Sequence, residues 1–317
     1  MPQLFPRSFI LSAGTLLVLA ACSSAEEPPE RTYYCGAQQI SVTPQDDRLQ
    51  LEYAGQHYDL RSTESASGAR YVNDDDDYEV SFWSRGERAR LEVDGQEFPE
   101  CRQAGAIIEP FTARGNEPFW RVDIENDEAL LQRMGEDDVT YSIVSQQHDD
   151  RETKIRNDDE SFRLTVSEEL CQDNMSGMFY PQSVTLDLED ESLRGCGGQS
   201  VHLLQGVEWK VMELDDNDYS DENVTIRFSH EDTRDMQVVG RAACNRYFGS
   251  YDLTGESLSI GQLAGTKMAC EDATMRVEYE FLNALSNTQG FSVEREDGES
   301  AVVYLHSSEG RLRLQQR

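Results

Sequence analysis

Hydrophobic and polar residues alternate in several short stretches of this chain, which is the pattern of half-buried β-strands. In the first stretch, Leu49, Leu51 and Tyr53 alternate with polar residues. Asp94–Gly95, a strong hairpin signal, joins residues 90–93 to residues 96–98. No helical period is apparent in this region, which indicates a small antiparallel barrel or sandwich. Similar strand-like stretches occur at residues 122–124, 184–188 and 224–228.

A helical period stands out once, near the C-terminus. It predicts an amphipathic helix whose apolar stripe belongs to the core, with Asp272 as its N-cap. A strand pair is expected next, at residues 290–295 and 302–305, joined by a turn at residues 297–298. The apolar residues of the helix recur at intervals of three or four: Met275, Tyr279, Leu282 and Leu285.

These patterns predict a mainly β chain with several domains. The length of 317 residues suggests two or three. The expected order is a small antiparallel β-barrel, a β-rich domain, and an α+β domain with the amphipathic helix. The expected boundaries are a signal peptide at residues 1–21, a tether at 22–31, the barrel at 32–104, the β-rich domain at 105–204 and the α+β domain at 205–317.

The charge of the chain limits its partners. A formal net charge of −33 opposes binding to nucleic acid through the phosphates. It would attract cationic partners. A salt-adapted organism that keeps its exported proteins solvated explains the same excess of acid, and this explanation is favoured.

The N-terminus has the pattern of a lipoprotein signal peptide. Arg7 precedes an apolar run that is shorter than the about 20 residues of a spanning helix. Residues 19–22 (LAAC) resemble a bacterial lipobox, so Cys22 is the expected site of lipidation, including palmitate, and the mature N-terminus. Ser23 then implies the outer membrane, with the protein lipid-anchored and facing the periplasm. An ordinary signal peptide cleaved nearby is the alternative.

Seven cysteines are present, and Cys22 leaves an even number for disulfides, which are typical of exported proteins. Several pairings are possible. The local one is preferred because each pair then brackets a plausible folding unit. These pairs are Cys35 with Cys101, Cys171 with Cys196, and Cys244 with Cys270.

Two neighbouring motifs carry the candidate chemistry of the first domain. Residues 65–71 (SASGARY) predict a small polar loop, and residues 78–86 (YEVSFWSRG) predict an aromatic strand that ends in a cation and a glycine. Together they would present a hydroxyl and a guanidinium at one end of a β-structure. Gly68 would let the loop approach a partner closely.

The two motifs, flanked by Cys35 and Cys101, resemble the signature of the periplasmic and membrane-bound inhibitors of c-type lysozyme, the MliC/PliC family. That signature is SxSGARY followed by FWxKG, and it covers about the first third of the mature chain. The resemblance implies an eight-stranded barrel and binding to c-type lysozyme. Ser67 and Arg85 would meet the two catalytic carboxyl groups of the enzyme. Gly68 and Tyr71 complete the candidate lysozyme-binding set, although packing is the favoured role of Tyr71.

Two features depart from that signature. Arg85 replaces a lysine, and its wider, planar guanidinium would either clash in a tight cleft or bind a carboxylate in bidentate fashion. The acidic residues 73–77 separate the two motifs and could compete for Arg85 or steer a basic lysozyme. A solvated loop tip is the favoured explanation for this run. The simplest alternative for Ser67 and Arg85 is an ordinary loop serine and a surface cation.

The middle of the chain resembles an uncharacterised domain of bacterial envelope lipoproteins. The motifs are residues 115–120 (GNEPFW), 171–177 (CQDNMSG) and 195–197 (GCG), and they imply no activity. Asp173 and Ser176 are expected to cap a turn beside a disulfide rather than to form a site.

The C-terminal part closely resembles the META/HslJ domain of envelope lipoproteins. The resemblance rests on residues 244–251 (CNRYFGSY) and 265–270 (GTKMAC). Asn245 and Arg246 are expected to hold the turn beside Cys244. The acidic residues 215–223 lack the glycine of an EF-hand loop, so no calcium site is expected there.

The sequence is compatible with three kinds of function. The preferred one is an outer-membrane lipoprotein that inhibits c-type lysozyme and turns nothing over. The alternative is a structural or stress-related envelope lipoprotein that keeps the barrel fold but binds other partners. An enzyme is disfavoured because the sequence offers no nucleophile elbow or zinc motif. No cofactor is expected, and the sequence leaves the oligomeric state open.

Overall fold

The computed structural model describes Met1 and residues 29–73, 79–231, 235–294 and 301–317. The chain is mainly β, as predicted, with 58% of residues in strands. Three large antiparallel sheets follow one another along the sequence, and each encloses its own set of buried apolar side chains. We call them the N-terminal barrel, the middle sheet and the C-terminal sheet.

The N-terminal barrel is closed by eight strands. Strand order runs from β1 to β7 through neighbouring hairpins, and β9 pairs with both β7 and β1 to complete the ring. Leu49 and Leu51 point inward, as their alternation predicts. The strands are β1 (Arg31–Cys35), β2 (Gln38–Gln45), β3 (Arg48–Tyr53), β4 (Gln56–Thr63), β5 (Ala69–Val72), β6 (Val80–Arg85), β7 (Arg88–Val93), β8 (Gln96–Glu97) and β9 (Cys101–Gln103).

The middle sheet has nine strands in the order β13-β12-β11-β10-β20-β19-β16-β15-β14. Its two edge strands, β13 and β14, are consecutive in the chain, so the sheet curls around its own core. Trp120, Phe162 and Leu164 are fully buried there. The strands are β10 (Phe111–Asn116), β11 (Phe119–Glu125), β12 (Glu128–Arg133), β13 (Val139–Ser142), β14 (Ser145–His148), β15 (Glu152–Arg156), β16 (Phe162–Ser167), β19 (Gln182–Leu188) and β20 (Ser192–Gly197); β17 (Cys171–Gln172) and β18 (Phe179–Tyr180) form a separate pair.

The C-terminal sheet packs against α1 (Asp272–Ser286), the α-helix of the described chain. A short 3₁₀ helix (Ser200–Leu203) precedes the sheet. The core of the sheet also includes Met178 and Tyr180, which lie at the short strand β18. The strands are β21 (Trp209–Leu214), β22 (Asn217–Asp218), β23 (Val224–Glu231), β24 (Asp235–Ala242), β25 (Asn245–Leu253), β26 (Leu258–Ile260), β27 (Ala264–Gly265), β28 (Thr288–Glu294), β29 (Val302–Ser307) and β30 (Gly310–Gln316).

The helix departs from the sequence prediction at two points. Glu271, not Asp272, is the N-cap, and Asp272 lies in the first turn. The predicted stripe is also partly wrong, because Tyr279 is 71% exposed while Phe281 is completely buried. The ring centroids of Phe281 and Tyr247 are 5.5 Å apart in an edge-to-face arrangement, and the buried face of the helix consists of Phe281, Ala284 and Leu285.

Polar contacts join the barrel to both other sheets. The guanidinium of Arg102 forms a bidentate ion pair with the Glu168 carboxylate, and Nη2 of Arg102 lies 2.9 Å from Oε2 of Glu168. The Thr153 hydroxyl donates to the carbonyl oxygen of Gly105. On the other side, the backbone N–H of Ala37 donates to the carbonyl oxygen of Gln205 at 2.7 Å.

Candidate functional site

The two candidate motifs meet at one end of the barrel. Strands β5 and β6 are antiparallel, with Ala69 opposite Ser84 and Tyr71 opposite Phe82. The loop that leads into β5 therefore lies beside the turn that follows β6. That turn is short, because Arg85 at the end of β6 pairs with Arg88 at the start of β7.

Gly68 holds these loops in contact. Its φ is +68°, a conformation that glycine adopts without steric cost. A Cβ added there would lie 3.2 Å from the Cβ of Arg85 and would collide with the carbonyl oxygen of Ser84. The loop can therefore lie against Ser84 and Arg85 only because residue 68 has no side chain.

The backbone of Ser67 is fixed by two hydrogen bonds. The Ser65 hydroxyl donates to the Ser67 carbonyl oxygen at 2.6 Å, and the indole N–H of Trp83 donates to the same oxygen at 2.8 Å. The guanidinium carbon of Arg90 lies 5.8 Å above the Trp83 ring and helps to hold the indole. Trp83 is thus a positioning residue for Ser67, a role that the sequence analysis did not assign to it.

The functional groups themselves are open to solvent. Ser67, Gly68 and Arg85 are exposed, while Tyr71 is half-buried and packs against the barrel core. Within the described part of the chain, neither the Ser67 hydroxyl nor the Arg85 guanidinium has a hydrogen-bond or ion-pair partner. A hydroxyl donor and a cation at the same end of the barrel suit a partner that presents acidic groups. The aspartates at 74–77 lie outside the described residues.

The described residues contain three disulfides, with the pairing preferred from the sequence. Cys35 and Cys101 are opposite each other on β1 and β9, with 3.9 Å between their Cα atoms. This bridge crosses one seam of the closed barrel. Cys22 lies outside the described residues.

The middle motifs form a turn whose contacts fit the predicted structural role. One carboxylate oxygen of Asp173 accepts hydrogen bonds from the backbone N–H groups of Met175 and Ser176, at 2.9 and 2.8 Å. The other accepts from the Asn116 side chain at 2.8 Å, which ties the two motifs together. Burial alone would raise the pKa of Asp173, but these hydrogen bonds outweigh it and hold the pKa below its usual value.

Asn245 performs a comparable role in the C-terminal sheet. Its buried amide donates to the Glu278 carboxylate at 2.9 Å, and its carbonyl oxygen accepts from the Thr266 hydroxyl and the Met268 N–H. The two C-terminal motifs are therefore held to each other and to the helix. These contacts account for Asn245 without a catalytic role.

The described residues show neither a metal-binding cluster nor a membrane-spanning helix. No group of three or more His, Cys, Asp or Glu side chains there is arranged to hold a metal ion. None of the helices in the described ranges combines the length and apolar character required to cross a bilayer.

Fold and site together define a β-barrel module with an exposed serine–arginine pair, joined to two further β-rich units. Two segments of the sequence match known domain families. Residues 33–98 match the family described as membrane-bound lysozyme-inhibitor of c-type lysozyme (MliC), and residues 202–317 match the META domain family. The chain thus contains an MliC domain and a META domain, as the motifs predicted. None of the curated proteins matches the sequence.

Solved structures provide weaker comparisons. An NMR structure of a protein from Burkholderia xenovorans is 26% identical, over 36% of this chain and 84% of that one, with a TM-score of 0.30. A crystal structure of BBS1N in complex with ARL6DN, soaked with mercury, is 7% identical over 92% of both chains, with a TM-score of 0.20. With TM-scores this low, neither supports a conclusion about fold or function.

Proposed function

We propose that this protein inhibits c-type lysozyme by placing Ser67 and Arg85 in the catalytic cleft of the enzyme. The observation that carries the proposal is the close approach of the Gly68 backbone to Arg85, which places the Ser67 loop beside the end of β6. Ser67 and Arg85 are exposed, their side chains have no partners among the described residues, and they lie in the segment that matches the lysozyme-inhibitor family.

The proposed contact follows from the chemistry of lysozyme. That enzyme uses two carboxyl groups, one protonated and one ionised, on either side of the scissile bond. The Ser67 hydroxyl would donate to one of them, and the guanidinium of Arg85 would pair with the other. Such charge-assisted hydrogen bonds are stronger than neutral ones, and exclusion of water from the cleft strengthens them further.

Arg85 in place of lysine is compatible with this contact. Arg85 is the last residue of β6, directly before Gly86, and its side chain is exposed. No neighbouring side chain in the described region restrains the guanidinium, so it is free to orient both N–H edges towards a carboxylate.

The location belongs to the same proposal. The matched family is a membrane-bound one, which supports a membrane-associated protein. Lipid on Cys22 would anchor the chain to the outer membrane, and the tether at residues 22–31 would separate the barrel from the bilayer.

The direct test is lysis of a peptidoglycan suspension by c-type lysozyme, with increasing amounts of the chain from Ser23 onwards, at low and at high salt. Saturable inhibition that survives high salt is expected, because contacts inside a closed cleft are screened much less than surface charges. Inhibition that disappears in salt would indicate charge attraction by an acidic protein. Absence of inhibition at both salt concentrations would favour the alternative, an envelope lipoprotein with other partners.

A further inference from the structure

A cleft of about 690 Å³ lies where the three sheets meet, away from the Ser67 loop. This volume is in the range of small-molecule sites. Its walls include Tyr34 from the barrel, Phe111 and Tyr180 from the middle segment, and Leu203 and Leu253 from the C-terminal part. The cleft therefore offers apolar and aromatic surface contributed by all three parts of the chain.

Most charged groups of the cleft already have partners. Arg102 is paired with Glu168. Arg88 donates to the Glu100 carboxylate at 2.9 Å and to the Glu109 carbonyl oxygen at 2.5 Å. The Glu109 carboxylate accepts from the backbone N–H of Asn126 at 2.8 Å. His202 also faces the cleft and is neutral near pH 7, because burial and the charge of Arg102 lower its pKa to about 4.

Arg114 differs from these charged residues of the cleft, because its guanidinium has no hydrogen-bond or ion-pair partner among the described residues. Its guanidinium carbon lies 5.3 Å from the centre of the Tyr180 ring, and none of its N–H groups donates to an acceptor in the described residues. The nearby carboxylate of Asp123 is already bonded to Arg121, at 2.8 and 2.9 Å, and to the Thr112 hydroxyl at 2.6 Å. An unpaired guanidinium in a cleft is unexpected in a chain with a net charge of −33.

Space beside Arg114 is kept open by a glycine. A Cβ on Gly255 would lie 3.7 Å from Nη1 of Arg114 and 3.7 Å from the hydroxyl of Tyr180, which is ordinary contact distance. A larger side chain at this position would therefore cover the guanidinium without disturbing the backbone. With glycine there, the donors of Arg114 face the cleft.

We infer that this cleft binds an organic oxyanion with an apolar body, its carboxylate or phosphate held by Arg114 and its body lying against Phe111 and Leu253. A planar guanidinium matches the paired oxygens of either group. The ring of Tyr180 supports the guanidinium from one side, so it is partly pre-organised for the anion. The inference is independent of lysozyme inhibition.

The test uses the purified full-length chain and the fluorescent probe anilinonaphthalenesulfonate, an aromatic anion. Octanoate, octyl phosphate and uncharged octanamide compete with the probe in separate titrations. Comparison of octanoate with octyl phosphate identifies the preferred oxyanion, and comparison of either with octanamide measures the contribution of the charged group beyond that of the apolar chain. Arg114→Gln and Gly255→Leu should each weaken binding by at least about tenfold. Arg114→Gln removes the charged hydrogen-bond donors, and Gly255→Leu fills the space beside them. Arg114→Lys should retain part of the affinity.

The matched control is Arg163→Gln, which removes the same charge from an exposed position on strand β16 of the same sheet and should leave binding unchanged. Saturable probe binding that is lost in both cleft variants, and stronger displacement by an oxyanion than by octanamide, would support the inference. Absence of saturable binding, equal binding by Arg114→Gln, or equal displacement by octanamide would overturn it. Circular dichroism of each variant verifies that the fold is retained.

Discussion

The indole N–H of Trp83 lies 2.8 Å from the carbonyl oxygen of Ser67, sixteen residues earlier in the chain. Through this contact, Trp83 on β6 helps to fix the backbone of Ser67, and therefore the position of the Ser67 hydroxyl in the neighbouring loop. The contact predicts that the loop can be loosened without any change to the groups proposed to meet lysozyme.

Trp83→Phe keeps an aromatic ring at the site but removes the N–H donor. We expect weaker inhibition of lysozyme by roughly fivefold, since a neutral hydrogen bond contributes about 1 kcal/mol. Faster amide hydrogen exchange in residues 65–68 should accompany it. The control is Trp120→Phe in the middle sheet, where the indole N–H has no partner among the described residues. Unchanged inhibition and exchange in Trp83→Phe would show that Ser65 alone fixes the loop.

Ser67→Ala and Arg85→Ala test the proposed contact itself. Each should weaken inhibition by about 2–5 kcal/mol, because truncation of one partner leaves a buried charge of the other unpaired. Inhibition constants from the lysis assay provide the measurement. Retained inhibition in both variants would rule out these residues as the contact.

Two further variants separate position from charge. Arg70→Ala removes an exposed cation from the adjacent strand β5, and it should have little effect; a loss as large as that of Arg85→Ala would indicate charge attraction alone. Arg85→Lys restores the residue of the family signature. Stronger inhibition by Arg85→Lys would show that the guanidinium is too wide for the cleft.

The ion pair between Arg102 and Glu168 should stabilise the junction of the barrel and the middle sheet. Their side chains are only 15% and 13% exposed, and Glu168 also accepts from the Gln182 amide at 2.8 Å. Arg102→Met leaves a buried carboxylate without its cation, which should cost about 3 kcal/mol in urea unfolding.

The exposed pair of Arg48 and Asp59 provides the comparison, with side chains 47% and 59% exposed. Arg48→Met should change the unfolding free energy by less than about 1 kcal/mol. The double variant Arg102→Met/Glu168→Gln should recover much of the loss, because no unpaired charge is then buried and an acceptor remains for the Gln182 amide. If Arg102→Met and Arg48→Met changed the unfolding free energy equally, the junction pair would stabilise the fold no more than an exposed ion pair does.

The sequence was most informative where the signal is local. Leu49 and Leu51 alternate with polar residues because one face of β3 is buried, and Asp94 and Gly95 both adopt positive φ in the turn that their pairing predicts. The order of the motifs also predicted that Ser67 and Arg85 would lie at the same end of the barrel.

Features that depend on distant contacts could not be predicted in this way. Arg102 and Glu168 are 66 residues apart, and nothing near either one marks the other as its partner. The exposure of Tyr279 likewise accompanies the burial of Phe281 beside Tyr247, which no helical period reveals. Arg114 looks like an ordinary strand residue until the fold brings Gly255 beside it.

His202 should make the stability of the folded chain depend on pH. Burial and the charge of Arg102 lower its pKa from 6.5 to about 4, so the folded chain keeps this imidazole neutral. Between these two values the unfolded chain binds the additional proton, so the contribution of His202 is fully present above pH 6.5 and is lost as the pH falls towards 4.

His202→Gln should therefore reduce the loss of unfolding free energy between pH 7 and pH 4.5 by up to about 3 kcal/mol. Urea unfolding at a series of pH values measures this slope. His57→Gln serves as the control because His57 is exposed on strand β4. If both variants kept the slope of the parent chain, the dependence of stability on pH would have to arise from another group. The carboxylate of Asp173 would be the next group to test. Its pKa is lowered in the folded chain, so it stabilises the fold only while it is ionised.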